Sequence, residues 1–357
     1  MKTLRRLLWK EIVSATLLVF AALLMLFAFF DLVGELKEIG RGSYRLPGIL
    51  AFVLLSLPGH IYDLFPLAAL IGTLFALAQM VASSEYTVIR ASGVSTRTVA
   101  IALARFGCGF ALVTFVFGEV VAPQAEQWAQ RIKTQAVLGV VSQEFFSGVW
   151  LRDERNFINV RTVSTDASLS GVRIYEFDAE FRLRTVSVAE RGEYQKDGSW
   201  LLTDVAQTRF EGGSAVGVRL AQANWRSVLD PGMVDMLMVQ PERMSAWNLN
   251  QYIQHLRENR QKTVRHEVAL WLKLTYPFAV VVMMVLALPF AYFQVRAGGV
   301  GVKIFTGIML GVLFYLFNRV SGHLAIINNG SPITSALLPT ACFLLVAIVM
   351  LWWVERR

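Results

Sequence analysis

Charge is scarce in this sequence. Asp, Glu, Lys and Arg make up 17% of its 357 residues, where soluble domains carry about 25%. With 55% hydrophobic residues and a mean hydropathy of +0.50, that shortage excludes an ordinary soluble domain. Cysteine is scarcer still, at two residues. Cys108 and Cys342 both fall inside apolar runs, so they read as packed thiols rather than a disulfide or a metal pair. Catalytic motifs are wanting too. His266-Glu267 begins a zinc-protease pattern, but Leu270 stands where the second His is required. GGVGVK at 298–303 lacks the spacing of a phosphate-binding loop and has no Ser or Thr after Lys303. If ATP is used, another chain must bind it. A cleavable signal peptide is not evident either: the apolar run after the basic start is long enough to stay as a span.

What is present is a series of apolar runs. Residues 12–30 carry no charge and are long enough to cross about 30 Å of hydrocarbon. The stretch 48–82 is too long for one straight span. Pro58 and Pro66 predict a bent segment followed by a span at about 61–81. Residues 98–121 form a third span, with Arg105 near one end and Glu119 near the other. Runs at 271–293, 302–320 and 333–354 supply three more. Net charge is +8, which could suggest nucleic acid. Many of the basic residues flank spans, however, where they set orientation. Counting them puts both termini, residues 83–97 and the 294–303 loop in the cytoplasm.

The polar part, 123–265, then lies outside, between spans three and four. Residues 125–138 read as a helix continuing the third span. Strand-like alternation follows at 148–151, 157–163, 171–177, 181–191, 200–210 and 216–225, separated by turn residues such as Asp197-Gly198. This predicts an all-β domain, a sandwich or an open roll, lined by Val160, Ile174, Val186 and Val188 among others. Residues 244–261 form a helix capped by Ser245, with Leu249, Tyr252, Ile253 and Leu256 on one face. The fold class is membrane α-helical, three spans plus three, with an inserted all-β jellyroll-like domain. The units are 1–122, 123–265 and 266–357.

Two groups of residues carry the functional expectations. SSEYTVIRASGVS at 83–95 reads as a short helix at the membrane surface, ended by Gly93; from pattern alone it is equally a solvated loop. Asp31, Asp63, Glu119 and Arg319 map near the outer ends of their spans, with Lys37 and Lys133 just beyond. Charges there face protein, water or a polar ligand, because lipid is costly for them. Around one mouth they suit a ligand with a charged head and apolar tails; ordinary interfacial anchoring is the plainer reading of each residue alone.

Several segments carry a family resemblance. GRGSY at 40–44, FPLAALIGTL at 65–74, SEYTVIRASGVS at 84–95 and GEVVAPQAEQWA at 118–129 are the strongest, with GVWLRDERNFINV, IYEF and ALLP in support. With the layout of spans and β-domain, they make nearly the whole chain resemble the lipopolysaccharide export permeases LptF and LptG, with GSY and APQxEQ nearer the LptG branch. The resemblance implies a non-catalytic subunit of a bacterial inner-membrane ABC transporter. Its partners would be an LptF-like second permease, a dimeric cytoplasmic LptB-like ATPase, an LptC-like membrane-anchored periplasmic protein and a periplasmic bridge. Lipopolysaccharide would be the ligand, and nucleic acid has no part. The chain would hold no cofactor; ATP and Mg would sit in the ATPase. Residues 83–95 would be the coupling helix, with Glu85 at the acidic position and Tyr86, Arg90 and Gly93 beside it. Lys37, Arg41, Lys133 and Arg319 would meet the lipid, although Asp31 and Glu38 stand where some relatives carry Lys. A permease for another lipid or lipoprotein, or a non-transporting envelope scaffold, are the alternatives.

Overall fold

A computed structural model describes residues 2–138, 149–153, 155–163, 168–195, 197–211, 214–227, 241–259, 261–293 and 300–356. Residues 294–299 of the expected loop, and position 148 of the first expected strand, lie outside these. Among the described residues, six helices are long and apolar enough to cross a membrane. The first two are α1 (Lys2–Leu36) and α2 (Leu46–Ala82). α2 departs from the expected bent segment: it is one helix of 37 residues, about 55 Å long at the α-helical rise. Pro58 and Pro66 lie inside it. In a membrane bundle, neighbours can supply the bonds that proline removes, so proline does not end the helix as it does in water.

A seven-residue helix, α3 (Glu85–Ala91), turns the chain back into α4 (Thr96–Val116). One π turn (Phe117–Val121), in which the Ala122 N–H donates to the Phe117 carbonyl, leads into α5 (Ala122–Leu138). The third span and its outward extension are therefore continuous, as expected. After the sheet comes α6 (Ala246–Glu258), capped by Ser245, whose hydroxyl accepts from the Asn248 N–H. The remaining spans are α7 (Val264–Phe293), α8 (Val300–Ile327) and α9 (Pro332–Arg356).

α2 is the axis of the bundle and touches α1, α3, α4, α5, α7 and α8. Of its apolar stretch 78% is buried, against 17% for α1 and for α9. Lipid tails offer no hydrophobic drive between helices, so close approach must supply dispersion contact. Gly72 lets α2 lie against the backbone of Thr16, and a Cβ on Gly107 would come within 2.8 Å of the Val281 Cα.

Among the described residues, six strands form one antiparallel sheet in chain order: β1 (Val149–Asp153), β2 (Asn156–Val163), β3 (Leu169–Phe177), β4 (Leu183–Tyr194), β5 (Ser199–Glu211) and β6 (Ser214–Arg226). Alternation and turn chemistry account for the strands. Asp178 accepts from the N–H groups of Glu180 and Arg182, and Asp197 from the N–H and hydroxyl of Ser199. Just past β6, the Ser227 hydroxyl donates to Asp153 at the end of β1, at 2.6 Å. The two edge strands thus meet at a corner, and the sheet is an open roll. Ile158, Val160, Val172, Ile174, Trp200 and Leu202 fill its inner face.

The expected lining needs one correction. Val160 and Ile174 do face inward, but Val188 is 40% exposed and Val186 shares its face. Thr185, Ser187, Ala189 and Gly192 are the inward residues of β4. Pairing decides this: Ile174 lies opposite Ser187, and Val172 opposite Ala189.

Candidate functional site

At the end of the bundle that carries the sheet, α1, α2 and α5 surround a cavity of about 330 Å³. Its wall is charged. The His60 ring nitrogen lies 2.5 Å from Asp31, and Lys133 Nζ lies 2.7 Å from Glu35. Glu35 also accepts from the Tyr44 hydroxyl at 3.1 Å. Tyr44 is fully buried, and burial, then the Glu35 charge, pushes its hydroxyl well above the usual phenol range. The GSY turn is pinned by Ser43, whose N–H and hydroxyl both donate to the Ala136 carbonyl of α5. Glu126 receives Arg243 and Gln130.

A second hollow, of about 480 Å³, opens between α7 and α8. It contains Arg319, bonded to the Tyr315 hydroxyl at 3.0 Å, with Arg265, Asn318 and His323 nearby. Tyr62, Asp63, Glu242 and Lys273 line both spaces. The single expected mouth is therefore two hollows on either side of one wall. Lys133 belongs to the first, and Arg319 to the second. Arg41 pairs with Glu38 in the turn after α1, and Lys37 is exposed in that turn.

The wall is held by a reciprocal pair of tyrosines. Pro277 has no N–H, so the Lys273 carbonyl four residues earlier loses its helical donor. The Tyr62 hydroxyl of α2 donates to that carbonyl at 3.1 Å. Pro66 acts likewise on α2, freeing the Tyr62 carbonyl; the adjacent Asp63 carbonyl takes the Tyr276 hydroxyl of α7 at 2.5 Å. The two rings are 5.0 Å apart. Lys273 Nζ reaches the Met244 carbonyl just before α6. Glu119 of the π turn accepts from the N–H groups of Ala246 and Trp247, at 2.9 and 3.1 Å. A carboxylate thereby caps the positive end of α6 and joins the limb returning from the sheet to the third span.

At the opposite end lies α3. Glu85 is exposed, as an interaction residue must be. Tyr86 departs from its expected place at a partner contact. It is 4% exposed and packs with Ile89, Leu8, Ile12, Val99 and Leu103. Its i+3 spacing to Ile89 roots the helix in the bundle. Arg90 donates to the Thr96 hydroxyl at the start of α4. Gly93, at φ +85°, follows the last turn, and its N–H donates to the Arg90 carbonyl. The outward surface of α3 is Glu85, Thr87 and Val88.

His60, Lys273, Glu35, Tyr44 and Arg243 were missed as parts of the site. The signal for two of them was an ionisable residue inside an apolar run. The zinc-like pair has other work: Glu267 accepts from Arg257 and Thr263, and His266 lies edge-on to Tyr252.

LptG of Escherichia coli K12, the lipopolysaccharide export system permease protein, is 31% identical over 356 residues, covering 99% of this chain and 98% of that protein. LptG of Haemophilus influenzae Rd is 31% identical with the same coverage. The family model described as lipopolysaccharide export system permease LptF/LptG matches residues 6–353. A match of that extent, on a chain of six spans interrupted by a β-roll, makes this protein a member of the LptF/LptG family of lipopolysaccharide export permeases.

Proposed function

We propose that this permease subunit of lipopolysaccharide export links a cytoplasmic ATPase to a lipid mouth on the periplasmic side through α2. One observation carries the reading. A single buried helix runs from the charged wall, at His60 to Pro66, to the base of α3. Packed interiors resist compression, so displacement of α3 is transmitted along α2 rather than absorbed. α3 stands in the cytoplasm and offers Glu85 to a dimeric LptB-like ATPase, which binds ATP and Mg. An LptF-like permease covers part of the outward apolar surface of α1 and α8. Lipopolysaccharide enters from the outer leaflet, and the cations at the two hollows meet its phosphates. The roll stands in the periplasm, edge to edge with a similar domain such as that of an LptC-like protein.

Glu85→Lys and Tyr86→Ala, each in the reconstituted complex, test the link. Glu85→Lys places like charge at the ATPase contact and should cut ATP-driven lipid release at least ten-fold with the complex intact. Tyr86→Ala should uncouple by loosening the root of α3, so that ATP hydrolysis persists while release falls. Normal release by the Glu85→Lys complex would remove α3 as the coupling element.

A further inference from the structure

The outward face of the roll holds a hollow separate from its apolar interior. Arg173, Val188, Ala206 and Arg219 are neighbours in one row across β3, β4, β5 and β6. Arg161 lies on the same face, its stem over Gly171, where a Cβ would sit 2.8 Å from the Arg161 Cβ. Together with Glu190 and Asp204 these residues enclose about 560 Å³, within the range of small-ligand sites. The floor is small because Gly171 and Ala206 present almost no side chain. Asp204 holds a left-handed φ of 51°, a conformation costly for Asp and used in sheets to re-aim a side chain. Among the described residues, none of these five charges forms an ion pair.

We propose that this hollow binds an acidic oligosaccharide. Guanidinium groups meet phosphates and sugar-acid carboxylates with paired hydrogen bonds. The carboxylates of Glu190 and Asp204 would repel a bare anion, but they accept hydrogen bonds from sugar hydroxyls. Val188 and Ala206 give a flat apolar floor for a pyranose face. Arg173 and Arg219 stand three strand spacings apart, about 14 Å, room for more than one ring. The inference rests on the exported substrate being a glycolipid, whose acidic sugars are the part suited to a polar outer surface.

The test uses the purified full-length transporter complex. The probe is lipopolysaccharide stripped chemically of its acyl chains, followed by equilibrium dialysis. Arg173→Glu with Arg219→Glu should weaken binding at least ten-fold. Ala206→Leu should do the same, since it fills the floor without altering charge. Glu190→Gln with Asp204→Asn should weaken the oligosaccharide and leave inorganic phosphate binding no weaker. Equal affinity in wild type and both of the first two variants overturns the site. Full competition by inorganic phosphate at equal concentration overturns the sugar assignment and leaves a plain anion site. An acidic protein lost only from the charge-reversed complex, with no probe binding to wild type, makes the hollow a protein contact and also overturns it. ATP-driven release of intact lipopolysaccharide, measured alongside, distinguishes these failures from failure of the transport reading.

Discussion

Lys133 shows how far a side chain's setting can depart from its type. As a lysine beside a span it invites assignment to a phosphate, yet its ammonium is held by Glu35 at 2.7 Å and stands over the Phe52 ring. A phosphate reaches it only by displacing Glu35. Glu35→Gln should therefore free Lys133 and raise, several-fold, the lipopolysaccharide that co-purifies with the complex, as read by mass spectrometry. An unchanged lipid content would remove Lys133 from the ligand set. Lys133→Ala should instead destabilise on the order of 1 kcal/mol, by leaving a half-buried carboxylate with one fewer donor. None of this was legible beforehand, because Glu35 and Lys133 are 98 positions apart and no local pattern joins them. Glu85 was legible, since exposure on a short helix follows from its neighbours: Tyr86 and Ile89 supply the buried side and leave Glu85 the other.

Among the elements, two helix prolines, Pro66 and Pro277, lie where α2 and α7 are attached to each other. Pro58 and Pro66 signal a bend by rules learned in water, but α2 runs through both as one helix, and beside Pro66 the Tyr276 hydroxyl of α7 donates to the Asp63 carbonyl. This yields a conditional prediction. Tyr62→Phe should cost about 0.5–1.5 kcal/mol in thermal stability, since it leaves the Lys273 carbonyl without a donor in a buried site. In a Pro277→Ala background the restored N–H satisfies that carbonyl from within α7, and Tyr62→Phe should become nearly neutral. Equal costs in the two backgrounds would show that the hydroxyl is not serving the freed carbonyl. The strands were legible where alternation and turn residues agreed. The face of β4 was not, because two valines at 186 and 188 argue for one side and the register with β3 imposes the other.

For the whole molecule, the roll decides whether this subunit carries lipid or stands beside one that does. Its inner face is apolar around Trp200 and Leu202 and smaller and more polar at Thr185 and Ser187. Photo-crosslinking residues at Ile174 and Val186 separate the two roles, since the first faces in and the second lies on the outward face of β4, outside the charged hollow. Capture of lipid at Ile174 but not at Val186 during ATP turnover is the expected outcome. Capture at neither, with lipid release intact, would assign this roll a structural role.

The π turn at Phe117–Val121 has a geometric consequence. It holds one residue more than an α turn, and each residue of an α-helix turns the chain by about 100°. Every side chain beyond it, Glu126 and Lys133 included, therefore points about a quarter-turn from where an uninterrupted helix would aim it. The compass bearing of the roll relative to the third span is thus written as a count of residues, upstream of every contact that the roll makes.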